Sequence, residues 1–508
     1  MISSIAGEHS ANMEILSTST LLLIVCLIFL ILSITHARKH QSKGRLPPGP
    51  TPLPIIGNIL QLNGKDLFKS LNKLSEKYGP VYTIHMGMEK VVILCSCDAV
   101  KEALIDKADD FSARGRMPLL ERISSGGHGV VSSNGERWKQ LRRFSLMTLR
   151  NFRMGKKSIE ERIQEEAYFL TEEFRKTNCQ SVNPNFYFAK AVSNVICSVV
   201  FGSRFEYGDK RFLQLLALLH ESLRSFSSIL GQMYNVFPKV VEKIPGPHQK
   251  SFKAVHDIHK FIEERVKMHK ETLNPGSPRD FIDCFLLKME QEKDVLQTEF
   301  HMQGIVHTTF DLFSAGTESV STTLRYGLLI LLKHADVEER IHKEIDHVIG
   351  RNRAPCMEDR SRMPYMDAVI HEIQRFIDLA PLGVPHKVTC DVHFRDFIIP
   401  KDTTVYTMLG SVLRDPKQFK YPNEFKPEHF LDENGKFRMN DGYMPFSSGK
   451  RICLGVGLAK MELFLFFTTI LQNFTLKSLV DPQDLDLKPK MSGFGKVPPS
   501  YELCFLPR

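Results

Sequence analysis

One cysteine in this chain stands where a metal could use it. In Phe446-Ser447-Ser448-Gly449-Lys450-Arg451-Ile452-Cys453-Leu454-Gly455, Cys453 lies in a loop feeding a long apolar stretch, 458–467, that reads as a helix. A thiolate ligand must lose its proton and have its charge stabilised, and cationic neighbours, oriented backbone N–H groups and a helix N-terminus all do this. Lys450 and Arg451 bring the charge, while Gly449 and Gly455 let the backbone turn around the sulfur. Only one cysteine sits here, which argues against zinc.

Three further spacings carry chemistry. Trp138 and Arg142 stand four apart on a predicted helix, so both donors project from one face and can clamp a carboxylate. Residues 298–333 contain no proline and predict a helix of ~54 Å. Within it, Ala315-Gly316-Thr317-Glu318-Ser319 joins an acid and a hydroxyl that offer a proton path, next to a glycine expected to open space beside the backbone. Glu372 and Arg375 sit at i and i+3. The same spacing recurs at Glu172/Arg175 and Glu221/Arg224, so position is what favours the third pair: predicted strands at 384–388 and 394–399, then Pro427-Glu428-His429-Phe430, then the cysteine loop follow it.

The elements that must position these residues fill 508 residues, 42% of them hydrophobic and 25% charged, with no repeat, low-complexity tract or interior linker. One large domain, 55–508, is the simplest division. Before it, 15–37 reads as a transmembrane anchor. Its apolar run from 21 to 32 is preceded by Glu8 and Glu14 and followed by Arg38, Lys39, Lys43 and Arg45, which puts residues 1–14 in the lumen and the body in the cytosol. A cleaved signal peptide would want basic residues first and a small-residue cleavage site after, and neither is present. Residues 38–54, basic and then proline-rich, form a stiff connector. Inside the body, 67–78 predicts a helix, 81–86 and 91–95 two strands, 111–135 a long loop, 212–233 one face of a core helix and 458–474 a helix. A net charge of +9 without a basic patch interleaved with aromatics gives no sign of nucleic acid, and ten scattered cysteines without a paired framework suggest a reducing compartment.

Together, Phe-x-x-Gly-x-Arg-x-Cys-x-Gly, Glu-x-x-Arg and Ala-Gly-x-Glu-Ser resemble the cytochrome P450 monooxygenases, and 370–374, 444–453 and 471–481 look closest to subfamily C of the microsomal family two. The resemblance implies a mainly α fold, a helical triangular prism with a smaller β-rich region, and haem b bound by the thiolate of Cys453. It further implies that Arg114, Trp138, Arg142, His386, Phe446 and Arg451 contact the haem, that Glu372, Arg375 and His429 form a buried network supporting the cysteine loop, and that Gly316, Glu318 and Ser319 handle dioxygen and protons. Val131, Ser132, Phe226, Asp311, Ala315, Ala380, Leu382, Val384 and Phe494 are the expected substrate-cavity contacts.

By the same resemblance, electrons come from NADPH through NADPH-cytochrome P450 reductase, with cytochrome b5 a second candidate partner, on the cytosolic side of the endoplasmic reticulum membrane. Lys139, Arg143, Lys450 and Lys460 are candidates for the docking face. The expected reaction is hydroxylation or epoxidation of lipophilic substrates: drugs, polyunsaturated fatty acids such as arachidonate, and, as a third class, steroids. Two departures stand out: Ser319 and Val320 occupy places where threonines are usual, and Val456 stands where relatives often carry Glu. Two rivals remain open. A haem-thiolate isomerase or peroxygenase would need no reductase, and a non-catalytic haem- or lipid-binding membrane protein would have no use for the acid and hydroxyl at 318 and 319.

Overall fold

Where apolar residues cover every face of a helix, that helix must be buried, and two segments meet this condition. The helix Met302–Lys333 is buried along most of its C-terminal half, and the helix Val456–Asn473 buries the unbroken run Leu463, Phe464, Leu465, Phe466 and Phe467, so these two become the axes on which the rest packs. The computed structural model describes residues 20–21, 23–25, 27–28, 46–64, 66–151, 158–492 and 495–508. Among them, twelve helices run eight residues or longer: α1 (Leu67–Tyr78), α2 (Gly135–Asn151), α3 (Ile159–Arg175), α4 (Asn185–Val200), α5 (Lys210–Phe226), α6 (Ile229–Val236), α7 (Pro247–Glu271), α8 (Phe281–Gln291), α9 (Met302–Lys333), α10 (Ala335–Val348), α11 (Pro364–Ile377) and α12 (Val456–Asn473).

The largest core joins α3, α4, the C-terminal half of α9 and α10 to α12. A second joins α4, α5, α7 and α8 to the first half of α9. Beside them lies a five-stranded sheet built from β1 (Val81–Met86), β2 (Glu89–Leu94), β3 (Ala113–Arg114), β4 (His386–Lys387) and, after the hairpin of β5 (Val392–Phe394) and β6 (Phe397–Ile399), β7 (Thr404–Thr407). Its order is β1-β2-β7-β4-β3, and β2 and β7 run parallel. Short antiparallel pairs, β8 (Phe474–Ser478) with β11 (Leu503–Pro507) and β9 (Met491–Ser492) with β10 (Lys496–Val497), finish the chain.

Several expectations change in detail. The single helix expected over 212–233 is two, α5 and α6, because the Ser228 hydroxyl accepts from the Gly231 N–H and caps a fresh start. The strand expected at 394–399 is the β5–β6 hairpin, which turns at Arg395 with φ 55°. The strand at 384–388 shrinks to β4, and the loop at 111–135 contains β3 and a helical segment, Pro118–Ile123. The proline-rich connector lies against β1, where the Thr83 N–H donates to Pro48 O at 2.8 Å. Most of 15–37 is outside the described residues. Those described within it, such as Leu21, Leu23 and Val25, are helical with exposed side chains, and among the described residues no helix is long and apolar enough to cross a membrane.

Candidate haem-thiolate site

Cys453 follows a one-turn 3-10 helix, Gly449–Arg451, and its N–H donates to Phe446 O at 3.0 Å, closing the loop beneath the sulfur. Ser447 and Gly449 take left-handed backbone, φ 61° and 69°. A Cβ at Gly449 would lie 1.7 Å from Leu104 O, so only glycine fits there. Gly455, expected as a second turn glycine, has φ −88° and open space around it. Its contribution is instead its N–H, which faces the sulfur one residue before α12 begins. The Cys453 side chain is open to a cavity of about 1220 Å³ yet enclosed by protein on its other sides. That enclosure pushes its thiol pKa up, against the Gly455 N–H and the Arg142 guanidinium, which pull it down.

Above this loop three guanidinium groups converge. Arg114 on β3 pairs in register with His386 on β4, Arg142 comes from α2, and Arg451 from the cysteine loop itself. Carbonyl and amide oxygens steady them: Arg142 donates to Ile452 O at 2.7 Å, and Arg451 donates to Ser112 O at 2.7 Å, Ser133 O at 2.8 Å and Asn134 Oδ1 at 3.0 Å. Among the described residues no carboxylate balances them. Burial and the two other arginines push Arg451 down to about 8, and burial and Arg142 push Arg114 down to about 10. The Trp138 ring lies 3.9 Å from the Arg451 guanidinium carbon, and both Trp138 Nε1 and Arg451 Nη1 are buried donors without a partner among the described residues.

Buried cations crowding one another beside orphan donors make a site that accepts anionic oxygens. His386 adds to it with a qualification. Its Nδ1 lies 2.8 Å from Phe111 O and so donates, and burial and Arg114 push the ring down to about 3. Nε2 is then bare, and it must take up a proton before it can donate to a carboxylate.

The opposite wall is α9. Asp311, Ala315, Gly316, Glu318 and Ser319 all border the cavity, as do Val131, Ser132, Phe226, Ala380, Leu382 and Val384. Phe494 lies outside the described residues. Gly316 does not open space as expected. A Cβ there would meet Ile196 Cδ1 at 2.6 Å, so the missing side chain lets α4 close against α9. The Ser319 hydroxyl donates to Ala315 O at 2.7 Å, and Glu318 Oε1 lies 3.8 Å from His220 Nδ1 on α5.

Asp311 accepts from the Val131 N–H at 2.9 Å, pinning the 124–134 loop to α9, while burial pushes its carboxyl from 3.8 up to about 7. Because the folded value lies above the unfolded one, this stability contribution is complete below about pH 4 and is lost as the pH rises through about 7. Asp311→Asn should therefore match wild type in denaturant titrations near pH 4 and exceed it near pH 8, by roughly 2–4 kcal/mol. Parallel stability curves across that window would refute the enclosed-carboxyl account.

Behind the cysteine loop, Arg375 and Glu372 on α11 are fully buried. Arg375 donates from Nε and Nη2 to the two Glu372 oxygens at 2.7 Å each, and to the carbonyls of Leu413, Pro422 and Glu424. His429 Nδ1 lies 3.2 Å from Glu372 Oε1. Of the rival pairs, Glu172 and Arg175 meet at the surface, half-exposed.

Sequence reasoning missed Asn134, whose Oδ1 accepts from the Arg114 N–H at 2.6 Å as well as from Arg451. No spacing signals a contact across 20 and 317 residues of chain. It also passed over Glu462, a buried acid bordering the cavity, although a lone carboxyl in an apolar helix was visible.

Comparison with known proteins agrees with this geometry. The family model for Cytochrome P450 matches residues 47–505. Cytochrome P450 2C21 of Canis lupus familiaris is 56% identical over 487 residues, 96% of this chain and 100% of that protein. Cytochrome P450 2G1 of Oryctolagus cuniculus is 54% identical over 496 residues, 98% and 100% of the two chains. Cytochrome P450 2A13 of Homo sapiens is 54% identical over 486 residues, 96% and 98% of the two. With a thiol beneath, unbalanced cations at one edge and a match along nearly its whole length, the chain belongs to the cytochrome P450 family, the haem-thiolate monooxygenases.

Proposed function

We propose that this protein is a membrane-tethered monooxygenase of the endoplasmic reticulum that hydroxylates or epoxidises lipophilic substrates, drugs and polyunsaturated fatty acids such as arachidonate among them. The observation that carries the reading is the unbalanced cluster of Arg114, Arg142 and Arg451 with the orphan Trp138 Nε1, at the edge of a cavity onto which Cys453 opens. These residues fit haem: the cations and the indole N–H would hold its two carboxylates, and Cys453 its iron. When bound, haem supplies the oxygen chemistry, and the protein supplies position and charge.

The chain's own work is then as follows. Glu372, Arg375 and His429 fix the floor behind the cysteine loop. Glu318 and Ser319 hold and pass protons at the α9 wall, and the Ser319 hydroxyl must leave Ala315 O to do so. Serine turns more freely than threonine about χ1, which costs precision in that step. Ser319→Ala should raise peroxide released per NADPH severalfold, and Ser319→Thr should lower it below wild type. Unchanged coupling in both variants would remove this hydroxyl from the relay.

An acidic reductase domain, or cytochrome b5, would dock on Lys139, Arg143, Lys450 and Lys460. Lys139 is held by Glu136 and Lys450 by Asp109, so docking exchanges these pairs rather than meeting bare cations. The anchor at 15–37 places residues 1–14 in the lumen and the catalytic body in the cytosol. The deciding experiment is reconstitution with reductase, NADPH and O₂, scoring products from arachidonate beside a drug panel. Turnover that persists without NADPH would replace this reading with a peroxygenase or isomerase.

A further inference from the structure

The cavity does not end in apolar side chains. One turn before Asp311 on α9, His307 also borders it, only 5% exposed; among the described residues neither ring nitrogen has a hydrogen-bond partner, and Nδ1 is enclosed, so Nε2 is the nitrogen a ligand can reach. Two imidazoles close around it: His128 from the 124–134 loop lies nearly parallel at 5.8 Å, and His259 from α7 stands edge-on at 4.6 Å. Burial, with His128 and His301 nearby, pushes His307 down to about 4, so the ring is neutral at cytosolic pH and offers one donor and one acceptor. One Asp311 oxygen is taken by the Val131 N–H, whereas no described residue hydrogen-bonds the His307 ring. A polar atom that faces an apolar cavity without a partner calls for an explanation, and a ligand is one.

The position sets a length. Ala315 borders the cavity eight residues on from His307 along α9, so the two ends lie about 12 Å apart along the helix axis. We propose that His307 anchors a polar subsite for elongated, uncharged lipophiles that carry a hydroxyl at one end, holding the carbon to be oxidised about 12 Å away, beside Ala315. This rests on the proposed function for the reaction, and on His307 alone for the binding preference.

The probe pair is 4′-propylbiphenyl-4-ol and 4-propylbiphenyl, rigid rods alike but for the hydroxyl, tested on the holoenzyme by equilibrium dialysis and product analysis. His307→Phe should weaken binding of the phenol roughly tenfold, the worth of one neutral hydrogen bond, and leave the hydrocarbon unchanged, which also shows that the variant is folded. His307→Gln, which keeps a donor and an acceptor, should restore part of the loss. Wild type should oxidise the phenol on its propyl chain, and His307→Phe should scatter oxidation over both ends. Equal phenol affinity in wild type and His307→Phe overturns the subsite. A His307-dependent affinity without oxidation of either probe by the reconstituted enzyme would keep the subsite and count against the monooxygenase reading for substrates of this shape.

Discussion

Cys453→Ser will abolish the thiolate-type carbon monoxide spectrum and reduce NADPH-dependent turnover to background. The loop is shaped for an anion: Gly455 N–H and Arg142 oppose the effect of burial on the thiol, and a coordinated metal removes the proton outright. A serine hydroxyl in the same pocket keeps its proton at neutral pH, because the same burial acts on a far weaker acid. The arginine cluster and the Glu372–Arg375 support do not depend on the sulfur. The variant should therefore still take up haem, with Soret absorption shifted away from the thiolate position. The measurement is the reduced carbon monoxide difference spectrum beside the haem-to-protein ratio. A variant that retained the wild-type spectrum would take the ligand role from Cys453.

Local signals were legible where the chain states both ends of an element. α1 was readable at 67–78 because Asp66 caps it, accepting from the Lys69 N–H, and Gly79 ends it with φ 89°. α9 was readable as one long helix because nothing in it breaks the pattern, and the expected start at 298 moves to Met302 because His301 caps it through Nδ1. The 212–233 stretch misled for the opposite reason: its apolar pattern runs through Ser227 and Ser228, so periodicity alone hides a break made by side-chain capping.

At the site, Trp138 and Arg142 could be paired from their spacing. The convergence of Arg114, Arg142 and Arg451 could not, because it depends on β3 pairing with β4 and on the cysteine loop folding under α2. Gly316 shows the remaining limit. A glycine marks close approach, but the sequence does not say whether a ligand or a neighbouring helix approaches, and here the neighbour is Ile196.

The Glu-x-x-Arg repeats allow a test that separates burial from sequence. Glu372→Ala leaves Arg375 charged and buried, with three carbonyls but no counter-ion, and such a loss costs about 3–5 kcal/mol. Glu172→Ala breaks a pair of the same spacing at the surface, where the cost is at most about 1 kcal/mol. Glu372→Ala should therefore purify with much less haem and unfold at clearly lower denaturant, because the Lys426 N–H and His429 also lose their acceptor and the segment leading to the cysteine loop comes free. Glu172→Ala should be indistinguishable from wild type. The double variant Glu372→Leu/Arg375→Met, which removes both charges and keeps volume, should recover part of the stability, since an apolar pair carries no desolvation cost. Recovery of haem content in that variant would make the network a device for neutralising its own charges, whereas stability without haem would show that its geometry is what shapes the loop around Cys453.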